Sequence, residues 1–323
     1  MEGAEKKLTP LAFRPEKVEQ PWGTLDYCLA DLGYIDSTAS SGWLSGSTIS
    51  DIMQTYLERV VGETAFEFYG TQFPVMVKCL DVRGRSSLHV NPDDETAAQR
   101  YDAFGKTALW YVTEAGPEAC LWLGFRRDVT AEEFYRSCQE GTVEKLLNPV
   151  KPKAGQHFLI LPGQVHAARD VRMIEIAESS ELWFRLHDWG STERELHLEE
   201  AFDLIDFRAS RVPRPGKAAE GPAEKIAVTP QFTVSELRLH DPLQITSGPA
   251  DSFQLYTCVR GAAAVRLEKG PDAVRYPVRP GEVLLVPAEV ESFYLVPEAE
   301  GTVVLETLLD PRPEEDSYVR EQD

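Results

Sequence analysis

From residue 73 onward, short apolar runs alternate with turn residues, a pattern typical of β-strands. Two stretches break it with apolar positions at helical spacing, and these predict a small helical part at residues 50–63 and 130–148. In the first two thirds of the chain the predicted strands are 73–82, 86–90, 107–113, 118–125, 157–162, 171–178 and 182–189.

Residues 211–225, RVPRPGKAAEGPAEK, carry three prolines and two glycines and predict a linker. A second block of short strands follows it. Many short strands with frequent turns are typical of closed barrels or sandwiches. We therefore predict a mainly β protein with two domains, residues 1–210 and residues 226–323, joined by this linker.

An internal similarity connects the two blocks. KAGQHFLILPGQVHAA (153–168) aligns without gaps with RPGEVLLVPAEVESFY (279–294) when Gly155 is placed on Gly281. Each copy has a turn glycine, an apolar strand and a proline-marked turn, which suggests duplication. His166 then falls opposite Ser292, so we expect the second domain to lack metal ligands.

The charge balance limits the possible partners. The 323 residues include 33 Lys and Arg against 53 Asp and Glu, a formal net charge of −20. This argues against a nucleic-acid or anionic-membrane partner, because binding to phosphate backbones needs a basic face. A phosphorylated small molecule needs only a few local cations and stays possible.

The cysteines and apolar segments bear on the compartment. Five cysteines without a C-x-x-C pair make a disulfide framework or thiolate zinc site unexpected. The N-terminus has no apolar signal-like core, and no stretch reaches the length of a membrane span. These features predict a cytoplasmic protein.

His166 follows a Pro-Gly turn at the start of a predicted strand. His89 and Asn91 lie two apart on an earlier strand, so both side chains share one face. This frame is typical of the metal motif of cupin barrels. A histidine beside a turn is also often an ordinary hydrogen-bonded residue, and both interpretations remain open at this point.

With this histidine frame and several further motifs in the same order along the chain, the sequence resembles the type I mannose-6-phosphate isomerases (phosphomannose isomerases) in their short bacterial form. The resemblance implies a fold of two tandem cupin-type (jelly-roll) β-barrels with a small helical part. It also implies interconversion of mannose 6-phosphate and fructose 6-phosphate with zinc. The matching pieces are PWG (21–23), FPVMVKCLD (73–81), SSLHVNPDD (86–94), GKTALWYV (105–112), PGQVHA (162–167) and EIAESSELWFRLHDWG (175–190).

The metal ligands depart from the family pattern. The family reads Gln-Val-His-Pro where this chain has His89 and Asn91, and Gly-Lys-Thr-Glu where it has Ala108. Only His166 is kept. We therefore predict His89, His166 and, weakly, Asn91 as ligands. Zinc sites usually offer three good ligands plus water, so zinc or another divalent metal should bind weakly or be absent.

The sugar-phosphate positions are better kept. The resemblance assigns substrate-binding roles to Lys78, Ser87, Lys106 and Glu181, the last replacing a usual Asp. Lys and Ser supply donors for phosphate oxygens. Alternatively, the two lysines are ordinary charges at the barrel rim.

Glu175 and Arg185 map to the catalytic cleft of the family. Arg185 can stabilise the charge on enediolate oxygens, and a carboxylate can move the proton. Alternatively, Glu175 and Arg185 form a structural ion pair.

Three functions remain open. The first is aldose–ketose isomerisation of a hexose 6-phosphate through an enediolate. The second is sugar or sugar-phosphate binding without catalysis, and the third is a cupin acting on another substrate with another metal. Fold alone cannot separate them. The expected partner is a phosphorylated sugar, and the expected state is a monomer or homodimer.

Overall fold

The computed structural model describes residues 6–210, 222–248, 252–268 and 274–309. Its strands are β1 (Leu11–Arg14), β2 (Glu16–Gln20), β3 (Gly23–Leu29), β4 (Thr38–Ala39), β5 (Val75–Arg85), β6 (Leu88–Val90), β7 (Ala108–Phe125), β8 (Leu147–Val150), β9 (His157–Ile160), β10 (His166–Glu178), β11 (Phe184–His187), β12 (Ala223–Val228), β13 (Thr233–Leu239), β14 (Leu243–Thr246), β15 (Gln254–Arg260), β16 (Ala263–Arg266), β17 (Arg275–Val278), β18 (Val283–Val286), β19 (Ser292–Pro297) and β20 (Thr302–Leu308). Its helices are α1 (Ile49–Tyr56), α2 (Glu58–Val61), α3 (Glu63–Tyr69), α4 (Asp94–Tyr101), α5 (Ala131–Gln139) and α6 (Leu198–Ala201), with 3₁₀ turns at Val143–Lys145 and Phe202–Leu204.

The chain forms two compact units. The described parts of Lys17–Asp26 and Met76–Ala218 form the first, called here the site unit. The described parts of Met1–Glu16, Tyr27–Val75 and Ala219–Asp323 form the second, called here the C-terminal unit.

This grouping corrects the predicted contiguous domain of residues 1–210. Strand β1 pairs with β18, placing Leu11 opposite Leu285, so an N-terminal strand extends a sheet of the C-terminal unit. Residues 211–221 of the predicted linker lie outside the described residues. The C-terminal end of the predicted linker, residue 225, was predicted wrongly, because strand β12 already begins at Ala223.

In the site unit, one sheet has the order β11-β6-β10-β5-β3-β2, and β7 adds pairings with β8, β9 and β10. Strand β7 is continuous where two strands were predicted. Gly116 lies at the middle of this strand, where an added Cβ would lie 2.2 Å from Asp170 Oδ2 and would displace that side chain. The bulge beside Asp170 absorbs the turn residues, so they bend the ladder without reversing the chain.

The predicted helical segments are present with different bounds. Residues 50–63 are split into three short helices, since Leu57 and Gly62 adopt positive φ angles of 50° and 90°. Helix α5 begins after Thr130, whose side chain accepts from Glu133 N at 3.2 Å. The predicted helix 130–148 ends early, because α5 stops at Gln139 and β8 begins at Leu147.

The C-terminal unit contains two sheets, one with the order β12-β13-β20-β15-β18-β1-β4 and one with the order β14-β19-β16-β17. Side chains from both sheets share one apolar core, among them Tyr256 and Leu284 from the larger sheet and Phe293 and Leu295 from the smaller. The mainly β fold class with a small helical part is confirmed.

The internal repeat coincides with the strand bounds. Under the alignment of Gly155 with Gly281, β9 and β18 start and end at matching residues, and β10 and β19 start at matching residues. Both glycines have positive φ, 84° and 81°. This agreement supports duplication. Separately, no helix in the described ranges combines the length and apolarity needed to cross a lipid bilayer.

Candidate active site

The predicted site residues lie on neighbouring elements of the site unit. Lys78 is on β5, His89 on β6, and Arg185 on β11, while His166 and Glu175 are at opposite ends of β10. The remaining positions follow or precede these strands, namely Ser87, Asn91, Lys106 and Glu181.

Two lysines and two glutamates form a buried cluster of charges. Lys78 Nζ lies 2.8 Å from Glu175 Oε1 and 2.5 Å from Glu181 Oε1. Lys106 Nζ lies 3.4 Å and 3.5 Å from the same two oxygens. Lys106 and Lys78 expose only 4% and 5% of their side chains, so the alternative of ordinary rim charges is wrong.

The charges of this cluster balance. Burial alone would raise the pKa of Glu175 and Glu181, but the ammonium groups of Lys106 and Lys78 outweigh it and hold both carboxyl pKa values below their ordinary range. Both glutamates are therefore ionised at neutral pH. Two cations and two anions sum to zero.

His89 and His166 form an imidazole pair across the β6–β10 ladder, with ring centroids 6.2 Å apart. His166 Nδ1 lies 2.9 Å from the Gln164 carbonyl and must donate to it, which leaves Nε2 as the free base. His89 Nε2 is buried without a hydrogen-bond partner.

Burial also fixes the charge of this pair. It lowers the pKa of His166 to about 4, and burial together with the neighbouring His166 lowers that of His89 well below its usual value. Both rings are neutral at physiological pH, the form that binds metals.

Two tryptophans that the sequence reasoning missed connect the imidazoles to the carboxylates. Trp110 Nε1 donates to Glu175 Oε2 at 2.7 Å, and its ring lies edge-on to His166 at 5.4 Å. Trp183 Nε1 donates to Glu181 Oε2 at 3.1 Å, and its ring centroid is 4.4 Å from that of His89. Strand alternation was the available signal for Trp110, which lies two residues after position 108 on β7.

Side chains hold the backbone of the segment that carries Lys106. Asn91 Nδ2 donates to the Lys106 carbonyl at 3.2 Å, and Glu178 accepts from Thr107 N at 2.6 Å. A Cβ at Gly105 would lie 2.5 Å from Asp94 N, so glycine is required for the close approach. Asn91, predicted as a weak ligand, thus positions Lys106 through its amide nitrogen.

Arg185 belongs to a second polar group. Its Nε donates to Ser87 Oγ at 3.3 Å and its Nη1 to the Glu195 carbonyl at 2.9 Å. Ser87 donates to Asp188 at 2.7 Å, and Asp188 accepts from Arg194 Nε at 2.8 Å. Arg194 was also missed.

Glu175 takes its cations from Lys78 and Lys106. The described contacts therefore contain no structural ion pair between Glu175 and Arg185, and that alternative is wrong.

The side chains present fit a divalent ion only in part. The unpartnered Nε2 of His89 and the free Nε2 of His166 are suitable donors. Ala108 offers only a methyl group, and no cluster of three or more His, Cys, Asp or Glu side chains suited to a metal occurs in the described part of the chain. Two imidazoles would hold such an ion, with other oxygens completing its shell.

Comparison with known proteins agrees with the resemblance. Residues of this chain are 28% identical to the mannose-6-phosphate isomerase ManA of Bacillus subtilis over 222 positions, which is 61% of this chain and 68% of that protein. No family model matches.

Solved structures share the fold. The mannose 6-phosphate isomerase of Bacillus subtilis superposes with a TM-score of 0.78 at 19% identity, covering 93% of this chain and 99% of that one. A zinc-bound mannose 6-phosphate isomerase superposes with a TM-score of 0.72 at 14% identity, covering 94% and 100%. The resemblance to this family and the tandem-cupin fold are confirmed.

Proposed function

We propose that this homologue of the mannose-6-phosphate isomerases is an aldose–ketose isomerase that interconverts mannose 6-phosphate and fructose 6-phosphate. The charged cluster of Lys78, Lys106, Glu175 and Glu181, adjoining the neutral imidazole pair, carries the proposal. It places an ionised carboxylate and hydrogen-bond donors beside two free imidazole nitrogens. A sugar with a carbonyl next to a hydroxyl needs this combination of base, donors and electrophile.

In the proposed reaction Glu175 moves the proton. Its carboxylate takes the proton from C2 of the aldose and returns it to C1, while the proton of the C2 hydroxyl passes to the C1 oxygen, so the enediolate collapses to the ketose without gain or loss of atoms. The reverse reaction uses the same path. Trp110 fixes one carboxylate oxygen by its hydrogen bond, which aims the group at the sugar. Lys78 and Lys106 keep the carboxyl ionised and donate to sugar oxygens.

The negative charge of the enediolate needs a fixed cation. Arg185 is held by Ser87 and the Glu195 carbonyl, so its guanidinium is oriented before substrate binds. The rings of Trp110 and Trp183 limit water around the reacting carbons. His89 and His166 would hold a divalent metal, zinc or another, which when bound polarises the carbonyl and hydroxyl oxygens.

The test is a coupled assay of fructose 6-phosphate formation from mannose 6-phosphate, with metal content measured on the same sample. We expect metal-dependent turnover that Glu175→Gln lowers at least 100-fold, consistent with loss of a general base (about 10²–10⁴-fold). Glu16→Gln, at an exposed position of β2, is the matched control and should keep full activity.

Metal-loaded, folded protein with turnover no greater than that of Glu175→Gln would refute the isomerase. In that case calorimetric heat on adding mannose 6-phosphate would support the second candidate, a sugar-phosphate-binding protein. The incomplete ligand set at Ala108 is the observation that favours this candidate. The cytoplasmic location and the monomeric or dimeric state stay predictions from sequence.

A further inference from the structure

The C-terminal unit contains a second hydrogen-bonded pair of an aromatic residue and a carboxylate, in which the tyrosine is buried and the carboxylate half-buried. Tyr256 OH donates to Glu306 Oε1 at 2.8 Å, and Tyr256 belongs to the apolar core between the two sheets. Burial raises the pKa of both groups, and among the described residues no cation contributes to the environment of Glu306. The proposed isomerase reaction does not use this pair.

Strand register shows that the pair repeats one in the site unit. Trp110 lies opposite Glu175 in the β7–β10 ladder and donates to it, while Tyr256 lies opposite Glu306 in the β15–β20 ladder and donates to it. The aromatic donor and its carboxylate thus occur at equivalent places in both copies.

The same register locates the counterpart of Ala108. Ala108 lies opposite Ile160, and Gln254 lies opposite Val286, which is the residue aligned with Ile160 by the glycine match. Gln254 therefore occupies the position of Ala108. The second copy has a polar amide where the first has a methyl group.

On the core-facing side of the larger sheet, the described residues include two buried polar atoms that lack partners. Gln254 is 6% exposed and its Oε1 has no hydrogen-bond partner, and Thr233 is 2% exposed and its Oγ1 has none. Gln254 shares the inner face of β15 with Tyr256, and Thr233 shares the inner face of β13 with Leu237, since side chains alternate along strands. An unpaired buried polar group destabilises a fold, so a partner is expected.

We propose that the interior of the C-terminal unit binds an uncharged sugar or polyol through Gln254, Thr233 and Glu306. Hydroxyl groups donate to the Gln254 and Glu306 oxygens and exchange hydrogen bonds with Thr233. A phosphate would face a carboxyl group with no cation beside it among the described residues, which disfavours phosphorylated sugars here. The site goes beyond the proposed isomerase reaction and does not depend on it.

The test uses saturation-transfer NMR and calorimetry with D-mannose and mannitol on the full chain. Thr233→Val and Gln254→Met are near-isosteric and remove the two unpartnered atoms. Lys106→Met/Glu181→Gln disables the charged cluster of the site unit and keeps its charge balance, so it isolates the C-terminal unit. We expect that double variant to bind like the wild type and Gln254→Met to bind at least about tenfold more weakly, as expected for one lost hydrogen bond in a desolvated site.

Three results would overturn the proposal. The first is a saturation-transfer signal of D-mannose or mannitol with Gln254→Met that equals the signal with the wild type. The second is binding that disappears only in Lys106→Met/Glu181→Gln, which assigns it to the site unit. The third is no binding of either compound to folded protein at about 50 mM, where a millimolar site is mostly filled, and this would leave buried water as the partner.

Discussion

Replacing Lys106 by Met tests whether the equal numbers of positive and negative charges stabilise the charged cluster. The substitution removes one of two cations and leaves Lys78 to compensate both Glu175 and Glu181. Met keeps the length and the apolar stem of the side chain. The local packing is therefore largely preserved, and the change is mainly one of charge.

The distances give the expected magnitude. Lys106 Nζ lies 3.4 Å and 3.5 Å from the two carboxylate oxygens. At an effective dielectric constant of about 20, each such contact is worth about 5 kcal/mol, and removing the ammonium also removes its own desolvation penalty of several kcal/mol. Loss of one partner of a buried ion pair accordingly destabilises proteins by about 3–5 kcal/mol, and we expect a loss in that range.

Urea unfolding followed by tryptophan fluorescence measures this loss, because Trp110 and Trp183 both contact the cluster. Adding Glu181→Gln restores the balance and should recover at least half of the lost stability without restoring turnover. Lys17→Met is the matched control. It removes an exposed pair with Glu19 at 3.6 Å and should change stability by less than about 1 kcal/mol. The reasoning fails if Lys106→Met costs no more than Lys17→Met, or if Glu181→Gln deepens the loss.

Three further predictions concern the metal, a buried acid and a tryptophan. His89→Gln/Asn91→His/Ala108→Glu restores the family ligand set, so zinc per chain, measured by mass spectrometry, should rise towards one together with turnover; unchanged zinc content would contradict this. Burial raises the pKa of Glu178 to about 8 from 4.5, so the folded protein keeps a proton that the unfolded chain releases. Stability should therefore fall between about pH 4.5 and 8, by up to about 1.4 kcal/mol per pH unit, and Glu178→Gln should flatten that slope in thermal unfolding curves. Trp110→Phe removes a hydrogen bond to Glu175 and should raise the apparent pKa of the acidic limb of the rate profile, and an unshifted limb would argue against Glu175 as the base.

Local patterns predicted most of the strands from residue 73 onward, whereas most of the candidate site residues came from the resemblance to the isomerase family. Short apolar runs separated by turn residues indicated the β class, and the i and i+2 spacing of His89 and Asn91 indicated one shared face. Strand β1 was assigned to the wrong unit because its pairing of Leu11 with Leu285 joins residues far apart in sequence. Helices α1 and α2 are separated at Leu57 because this residue has a positive φ angle. Helix propensity does not predict that conformation for leucine.

The site was predicted as separate residue types, but its charge arrangement is a property of the fold. The family resemblance assigned Lys78, Lys106, Glu175 and Glu181 to the substrate cleft, yet it did not show that they neutralise one another. Trp110 and Trp183 read as ordinary core residues, because a buried tryptophan needs a hydrogen-bond partner that only the tertiary structure reveals.

Charge balance bears on where the phosphate of a substrate would lie. The Lys78–Lys106 cluster has no net charge, since Glu175 and Glu181 cancel both ammonium groups. A phosphate dianion placed there would compete with two carboxylates. Arg185 and Arg194, with Asp188 between them, keep one net positive charge beside Ser87.

Guanidinium groups also match phosphate oxygens better than ammonium groups do. The sugar end, which needs donors, a base and a cation for the enediolate, suits the lysine cluster together with Arg185, and the phosphate end suits Arg194. Arg194→Met should consequently raise the KM for mannose 6-phosphate more than it lowers kcat, whereas Lys106→Met/Glu181→Gln should act mainly on kcat. Equal effects of both variants on KM would show that the two groups do not divide the substrate in this way.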